Sequence, residues 1–349
     1  MKPSFFLALC LVVVVVVCAN VPAYGQSSQV CVSYPSCGWY SFSSGCVPAL
    51  PSGVTNCSSQ GLWVVQCVYV STNCAPPPVW CPTCGRYVSV AGSPINLTNG
   101  NTYIQENDVR VPGLGGGLAL QRTWNSLPMP GSTPQAGMFG LQWTSTYEEL
   151  IVNGSGDAAN YMVYKRGDGS VWYFGPNGGS TWPLASPADV TATLISNGTQ
   201  PWTIKFQNGE QRTFSYTTGQ LASIIDRNGN TTQLSYDGSL RLTTITDPAG
   251  RHLYFTYNDS HSSRLVTSTT SDLNLTLQYA YDSLYRLTQV TNPDLSTISF
   301  TFNSQSLITA VTDSNGKVLE SHTYDANGRG LTSARAGGVE AVTITYPTQ

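Results

Sequence analysis

The stretch YDSLYRLTQVTNPDLSTISFTF, residues Tyr281–Phe302, decides the fold, because the chain contains six successive units of this pattern. Each unit starts at an aromatic anchor, has a polar break in its middle and ends in alternating apolar residues. Spacings of 20, 21, 24, 21, 22 and 22 residues separate the anchors, which are Tyr216, Tyr236, Tyr257, Tyr281, Phe302, Tyr324 and Tyr346. A period of this length predicts stacked repeats that bury their apolar faces against one another.

Each unit has the pattern of a β-hairpin of roughly 20 residues. The second half alternates strictly, as in Leu253, Phe255 and Tyr257, which places the apolar side chains on one face of a strand. The central turns begin at Asp or Asn, whose side chains bond nearby backbone N–H groups; they start at Asp226, Asp247, Asn292 and Asp313. In the first half, Leu242 and Ile245 are three residues apart, so this strand is either bulged or buried on both faces.

Such hairpins predict an all-β fold with one continuous antiparallel sheet. An isolated hairpin is marginal in water, so the units must extend a single sheet side by side. We expect the anchors to stack from unit to unit as cross-strand neighbours along its inner face. Helical periodicity with caps is hard to find after the first 25 residues.

Composition and charge exclude several classes of protein. Charged residues make up 10% of the 349-residue chain, against roughly 25% in an average soluble domain. The net charge is −3, and −4 without Lys2, so no basic patch is available for nucleic acid or an anionic membrane. A polar but weakly charged surface of this kind is typical of extracellular β-proteins.

The first 25 residues are predicted to be a signal peptide. Lys2 supplies the positive end, Phe5–Cys18 is apolar, and Ala23-Tyr24-Gly25 precedes the expected cleavage. An uncleaved anchor is the alternative, although the apolar run is short for a membrane span. We therefore expect a secreted, cell-surface or periplasmic protein with no membrane span in the mature chain.

The cysteines of the exported chain predict a small disulfide-rich module. Eight lie within 54 residues, and none follows; they are Cys31, Cys37, Cys46, Cys57, Cys67, Cys74, Cys81 and Cys84. An even number packed this densely favours a disulfide framework in an oxidising compartment, with no pairing selected by the sequence. A zinc site or a redox dithiol at Cys81-Pro82-Thr83-Cys84 is the weaker reading, and we expect no cofactor or metal.

The remaining chain divides at changes of composition. A proline-rich stretch, Ala75–Trp80, marks the exit from the cysteine module, and the next segment is rich in glycine and aromatics. In that segment, Gly167-Asp168-Gly169 separates two strand-like runs. The predicted organisation is a signal peptide at 1–25, a cysteine-rich module at 26–87, a β-rich domain at 88–185 and a repeat array at 186–349.

The repeat resembles the YD repeat of the RHS (rearrangement hotspot) proteins and teneurins. The matching residues are Tyr236-Asp237, Arg241-Leu242-Thr243 and Thr246-Asp247-Pro248 with Gly250. The preceding segment is similar to the β-rich domain that introduces these repeats, in Asn96–Tyr103 and in Leu120–Ser126. Together, the two resemblances cover about residues 88–346.

The resemblance implies a spiral β-sheet, either a shell around a toxin or a surface stalk that binds partners. The sequence ends at Gln349 and has six units, fewer than a family shell uses. We therefore expect a short secreted relative or the front piece of a split or truncated gene.

Residues with catalytic potential have structural explanations. The three histidines, His252, His261 and His322, lie at variable repeat positions and are expected to be solvated or half-buried. Glu148 and Glu149 form the adjacent acidic pair, but neighbours in a strand face opposite ways and do not make a catalytic dyad. No nucleophile elbow or phosphate loop occurs, so we expect no enzymatic activity and no catalytic residues.

Two functions remain from different classes. The favoured one is a non-enzymatic scaffold whose curved aromatic sheet, or its open edge, binds a protein or glycan, including a repeat-containing chain at the C-terminal edge. The alternative is a delivery or encapsulation component of an antibacterial toxin encoded separately. A carbohydrate-active enzyme on the aromatic sheet is a third, weaker reading.

Overall fold

The computed structural model describes residues 94–128, 133–155, 158–176, 179–187, 190–196, 198 and 200–346, and the backbone of four earlier strands. The chain forms two units, one of residues 1–74 with 343–349 and one of residues 75–342. In the first unit, β1 (Val15–Val16), β2 (Ser28–Tyr34) and β3 (Val64–Val70) form an antiparallel sheet in the order β1-β2-β3. The predicted signal peptide and the eight predicted disulfide cysteines have side chains outside the described residues, and both stay predictions.

The second unit starts with short strands and one long hairpin. Its hairpin, β6 with β7, continues to β10 in a three-stranded sheet, whereas β4–β5 and β8–β9 form separate pairs. These strands are β4 (Val90–Ala91), β5 (Ile95–Asn96), β6 (Tyr103–Val111), β7 (Leu118–Asn125), β8 (Ala136–Gly137), β9 (Gly140–Leu141) and β10 (Trp143–Ser145). Short 3-10 turns occur at Leu114–Gly116 and Ala336–Gly338.

A 19-stranded sheet follows, in which every strand lies beside its neighbours in sequence. It confirms the predicted all-β antiparallel sheet of repeat hairpins. The sheet continues without a break across the predicted boundary between residues 185 and 186, within β14. The boundary between the β-rich domain and the repeat array therefore stays a prediction. Its strands are β11 (Leu150–Asn153), β12 (Met162–Lys165), β13 (Val171–Phe174), β14 (Thr181–Ser186), β15 (Ala192–Ile195), β16 (Trp202–Phe206), β17 (Gln211–Phe214), β18 (Leu221–Ile225), β19 (Thr231–Tyr236), β20 (Leu242–Thr246), β21 (His252–Thr256), β22 (Ser268–Ser271), β23 (Thr276–Tyr281), β24 (Leu287–Thr291), β25 (Thr297–Phe302), β26 (Ile308–Asp313), β27 (Val318–Tyr324), β28 (Gly330–Arg335) and β29 (Val339–Thr343).

A β-bulge at the anchor explains the first strand of the repeats that start at Tyr236, Tyr281 and Phe302. In β19 and β20, Ser235 pairs with Thr244 but Tyr236 pairs with Leu242, so Thr243 is the extra residue. The same shift occurs at Thr288 and at Thr309. The extra residue lets two apolar residues three apart, Leu242 and Ile245 in β20, both point into the core. The bulged alternative is therefore the correct one.

The Tyr-Asp step makes a tight turn held by an Asp–Arg pair. Asp237 Oδ1 accepts the backbone N–H groups of Ser239 and Arg241, at 2.9 and 3.0 Å, and its Oδ2 accepts Arg241 Nε at 2.7 Å. The Arg241 guanidinium also lies 5.0 Å from the ring centroid of Tyr257, the next anchor. These backbone hydrogen bonds to the carboxylate, with the Arg241 charge, hold the pKa of Asp237 below its ordinary value.

The anchors are linked by hydrogen bonds and not by stacking. The Tyr236 hydroxyl donates to the Leu221 carbonyl at 2.7 Å, and the Tyr257 hydroxyl donates to the Leu242 carbonyl at 2.8 Å. Leu242 is the residue that pairs with the preceding anchor, Tyr236. The predicted stacking of anchors is wrong, because consecutive anchors are two strands apart, roughly 9–10 Å, which exceeds ring contact.

The first strands of the sheet are rolled against its later part. In a flat sheet β11 and β18 would be roughly 34 Å apart, since seven strand spacings separate them. Instead, Ile151 N–H donates to the Gly219 carbonyl at 2.9 Å, and Leu221 N–H donates to the Glu149 carbonyl at 3.2 Å. The sheet is therefore curved, and one face encloses an interior.

Candidate functional site

The interior of the curved sheet is filled by the inner strands, defined as β5–β10. Fully buried aromatic rings of the inner strands contact aromatic rings of the repeats. The repeat ring is either the one two residues before an anchor or the anchor itself. Phe139 contacts Tyr279 with centroids 4.9 Å apart, Trp143 contacts Phe300 at 5.3 Å, and Trp124 contacts the anchor Tyr324 at 6.5 Å. All are edge-on contacts, the geometry that aromatic quadrupoles favour. The aromatic face that sequence reasoning assigned to a ligand is occupied by the chain itself.

Backbone hydrogen bonds fix the inner strands against the repeat turns. Val266 N–H donates to the Met138 carbonyl at 2.9 Å, and Leu141 N–H donates to the Tyr285 carbonyl at 2.8 Å. Farther along the sheet, Gly330 N–H donates to the Gly100 carbonyl, also at 2.8 Å. These bonds pair backbone groups of the inner strands with backbone groups of the repeats.

An ion pair is buried at the centre of this contact. Arg122 of β7 binds both oxygens of Asp108 at 2.5 and 2.7 Å, and the Tyr279 hydroxyl donates to Asp108 at 2.7 Å. The Arg122 guanidinium also lies 4.6 Å from the Trp143 ring centroid. Burial acts to lower the pKa of Arg122, but the adjacent Asp108 carboxylate outweighs it and keeps that pKa above its ordinary value. Burial, reinforced by the Asp108 charge, raises the pKa of Tyr279.

Glu148 and Glu149, the adjacent acidic pair, precede β11 and lie in two different environments. Glu149 is buried, accepts the Tyr164 hydroxyl at 2.6 Å and forms an ion pair with Arg212. Glu148 accepts Met138 N–H on Oε1 at 2.6 Å. Burial raises the pKa of Glu148 to about 7.

Glu106 of β6 is a second carboxyl of this kind. Burial is the main cause that raises its pKa to about 7, and the Arg122 charge partly opposes the shift. The two carboxyls are therefore protonated over part of the range in which an exposed glutamate is charged.

The histidines have different surroundings. His252 Nδ1 lies 2.8 Å from Asp272 Oδ2, and His261 Nδ1 lies 3.1 Å from Asp259 Oδ1, both near the surface. His322 is 2% exposed, which differs from the expected solvated or half-buried position, and its Nε2 lies 3.5 Å from Glu320. Within the described residues, no group of three or more acidic, His or Cys side chains is arranged to hold a metal ion.

Sequence reasoning missed the inner residues of this contact. Arg122 and Trp124 alternate along β7, which signals a shared face, but nothing local in the sequence identifies Tyr279 or Tyr324 as their partners. Phe255, Tyr279 and Phe300 lie where the alternation predicts, on the buried face, whereas the predicted anchor Tyr216 is 44% exposed.

Comparison with known families identifies two segments of the chain. The family model named Domain of unknown function (DUF6531) matches residues 92–174, and the RHS Repeat model matches residues 216–252. The first overlaps the inner strands and the start of the large sheet. The second covers the unit that starts at Tyr216 and most of the next.

Two Bacillus proteins are similar over part of the chain. The tRNA nuclease WapA of Bacillus subtilis (strain 168) is 27% identical over 163 residues, which is 45% of this chain and 6% of that protein. The tRNA3(Ser)-specific nuclease WapA of Bacillus spizizenii is 28% identical over the same shares. The chain thus spans about 6% of the length of these relatives.

Two solved structures match part of the chain at low TM-scores. TcdB2-TccC3-Cdc42 has a TM-score of 0.28 at 13% identity and is matched over 55% of this chain and 12% of that one. A Tc holotoxin pore from Photorhabdus luminescens has a TM-score of 0.23 at 13% identity, over 71% and 18%. Among the residues that the structure describes, no helix has the length and hydrophobicity of a membrane span.

Proposed function

Since this chain carries an RHS repeat preceded by a DUF6531 domain, we propose that it is a non-enzymatic, secreted or surface-exposed scaffold that binds another polypeptide at the end of its sheet. The observation that carries the proposal is the position of β29 as the last strand in the 19-strand order. The Val339, Glu340 and Ala341 side chains on it are exposed. A terminal strand offers backbone N–H and C=O groups in the spacing that another β-strand needs.

The filled interior supports the choice of the sheet end over the inner face. Phe139, Trp124 and Trp143 are at most 1% exposed and cover the repeat rings, so a glycan or peptide has no access to those rings in the folded chain. A binding surface then has to lie on an edge or on the outer side of the sheet. This moves the predicted ligand surface from the aromatic face to the edge.

Strand addition can be tested with a peptide from the chain's own repeat. A fluorescent peptide of residues 281–302 has the hairpin pattern of one unit, and its binding to the purified chain can be followed by anisotropy. The proposal predicts saturable binding and slower amide exchange at Val339–Thr343. A scrambled peptide of the same composition is the control. Equal binding of both peptides, or no change in exchange at β29, would contradict the proposal.

A second candidate function is the front part of a toxin-delivery system. It is suggested by the two similar Bacillus proteins, which are tRNA nucleases of far greater length. It differs from the scaffold in requiring further repeats or a toxin in the neighbouring reading frame. Sequencing that frame decides between them, since continuing Tyr-Asp repeats or an immunity gene would favour delivery. An unrelated neighbour would count against it.

A further inference from the structure

The chain contains several Asn-x-Ser/Thr tripeptides, the acceptor sequence for N-linked glycans on exported proteins. A chain rich in Asn, Ser and Thr contains such tripeptides by chance, so the sequence alone selects none of them. Within the described residues they start at Asn96, Asn153, Asn230, Asn258 and Asn274. The fold places these five asparagines in different surroundings, and an acceptor on the folded chain has to be exposed with its side-chain amide unengaged.

Two of the tripeptides are part of the packed structure. Asn96 is 0% exposed, and its Oδ1 accepts the backbone N–H and the hydroxyl of Thr98. Asn230 donates from Nδ2 to Asp226 Oδ2 at 2.8 Å, and Thr232, the hydroxyl residue of its tripeptide, is 4% exposed. Both tripeptides are therefore closed to a transferase.

Two others are exposed but unsuited to glycan transfer. Asn153 is the last residue of β11 and pairs with Met162 of β12, so its backbone is held extended in the sheet. Asn258 is exposed after β21, but Asp259 follows it. The Asp259 carboxylate places a negative charge beside the amide that an anionic diphosphate donor would have to approach.

Asn274 differs from all four. It lies in the turn between β22 and β23 with a φ of 58°, a conformation that asparagine tolerates. Backbone bonds hold this turn, together with the Ser271 hydroxyl, which accepts the N–H groups of Leu273 and Leu275. The side-chain amide of Asn274 has no hydrogen-bond partner among the described residues, so the fold does not use it.

A side chain at this turn position projects into solvent. Leu295 occupies the equivalent position between β24 and β25, with its N–H donating to the Asn292 carbonyl as Asn274 N–H donates to the Ser271 carbonyl. Leu295 is 81% exposed, and Asn274 is exposed as well. Thr276, the hydroxyl residue of the tripeptide, is half-buried at the start of β23. The amide and the hydroxyl that a transferase recognises therefore lie together at the border of the sheet.

We propose that Asn274 is the acceptor of an N-linked glycan in the exported chain. Asn274 Nδ2 attacks the anomeric carbon of an oligosaccharide carried on a polyprenyl diphosphate. The bond from Nδ2 to this carbon forms as the bond from the carbon to the diphosphate oxygen breaks. Polyprenyl diphosphate leaves with the electron pair, and the amide proton passes to a base of the transferase.

The inference rests on the export that the proposed function also includes, but not on strand addition. Binding at β29 is measured with the purified chain whether or not Asn274 carries a glycan. Either proposal can therefore fail without the other.

Mass spectrometry of the protein secreted by its own cells tests the proposal. Trypsin releases residues 265–286 as one peptide, in which Asn274-Leu275-Thr276 is the acceptor tripeptide. This peptide should carry the mass of a glycan, whereas the peptide of residues 252–264, which contains Asn258, should be unmodified. An unmodified Asn274, or equal modification of Asn96 or Asn230, would overturn the proposal.

Matched variants separate the acceptor from general effects on secretion. Asn274→Gln and Thr276→Val should both lose the glycan, because one removes the acceptor amide and the other removes the hydroxyl at nearly constant shape. Thr276→Ser restores a hydroxyl and should keep the glycan, and Asn258→Gln should leave it unchanged. An immunoblot of the secreted chain checks that each variant is exported. Retention of the glycan in Thr276→Val would contradict the assignment.

Discussion

The Tyr257 hydroxyl donates a 2.8 Å hydrogen bond to the carbonyl of Leu242, the residue that pairs with the preceding anchor, Tyr236. Tyr281 and Tyr324 make the same bond, to the carbonyls of Val266 and Ile308. Each of these three tyrosine anchors therefore ties its repeat to the one before it. This relationship explains why an aromatic residue with a hydroxyl recurs at the start of the unit.

The anchor at position 302 is phenylalanine, which has no hydroxyl to donate this hydrogen bond. A tyrosine at position 302 should form it. Tyr257→Phe should lower the free energy of unfolding by about 1 kcal/mol, the net value of a buried hydrogen bond. Phe302→Tyr should raise it by up to about 1 kcal/mol, because the Leu287 carbonyl occupies the equivalent position.

Urea unfolding of both variants measures these changes. Tyr285→Phe is the control, since Tyr285 is exposed and lies in a turn. An unchanged midpoint for Tyr257→Phe would contradict a stabilising role of the hydroxyl.

Gly330 should tolerate no side chain, because the inner strands approach its backbone. A Cβ there would lie 2.4 Å from Thr102 Oγ1 and 2.8 Å from Ile95 Cδ1. Gly330→Ala should therefore destabilise the protein by about 1–3 kcal/mol through overpacking. Gly238→Ala is the matched control, as nothing lies within 4 Å of its Cβ position. Thermal unfolding of the two variants should separate them, and equal melting temperatures would argue against the close approach.

Replacement of Leu295 with glycine should stabilise the protein. Leu295 has a φ of 68° in the turn after Asn292, and its side chain is 81% exposed. Relief of the left-handed conformation should raise the free energy of unfolding by about 0.5–1 kcal/mol, since little packing is lost. Leu284→Gly, an exposed turn position without positive φ, should instead lower it slightly. Chemical denaturation measures both, and a loss of stability in Leu295→Gly would refute the strain.

Stability should decline between pH 5 and pH 8. The pKa values of Glu106 and Glu148 are both raised to about 7, so their stabilising contribution is present below the unfolded-state value and is lost as pH rises through about 7. Turn aspartates such as Asp226, whose pKa is lowered mainly by the hydrogen bond from Asn230, act oppositely and lose their contribution only at acidic pH. The maximum should lie near pH 5.

In Glu148→Gln, the free energy of unfolding lost between pH 5 and pH 8 should be smaller by on the order of 2 kcal/mol, because the amide resembles the protonated acid. Denaturant unfolding at pH 5 and pH 8 provides the comparison. The same pH slope in wild type and variant would exclude Glu148 as a source.

The repeat was predictable because its signals are local. The alternation of apolar residues around Phe255 predicts the strands, and the turns that begin at Asp predict where each hairpin reverses. The strand alternation also predicts which side chains are buried. The sequence does not decide whether Thr243 is a bulge, since a bulge depends on the register with the neighbouring strand. Stacked anchors were a wrong expectation because hairpin units place them two strands apart.

The inner strands could not be assigned to the repeats from sequence alone. Asp108 and Tyr279 are 171 residues apart, and no periodic pattern joins them. From the sequence alone, Arg122 is indistinguishable from an exposed polar residue of a strand, because its partners come from distant segments. The disulfide framework and signal peptide concern residues outside those described, and they stay predictions.

The most direct test of the filled interior is a double-mutant cycle between Trp143 and Phe300, whose ring centroids are 5.3 Å apart. Unfolding free energies of Trp143→Ala, Phe300→Ala and the double variant give the coupling energy. Contact between inner strands and repeats predicts a coupling of about 0.5–1.5 kcal/mol. Additive effects, with a coupling near zero, would contradict it.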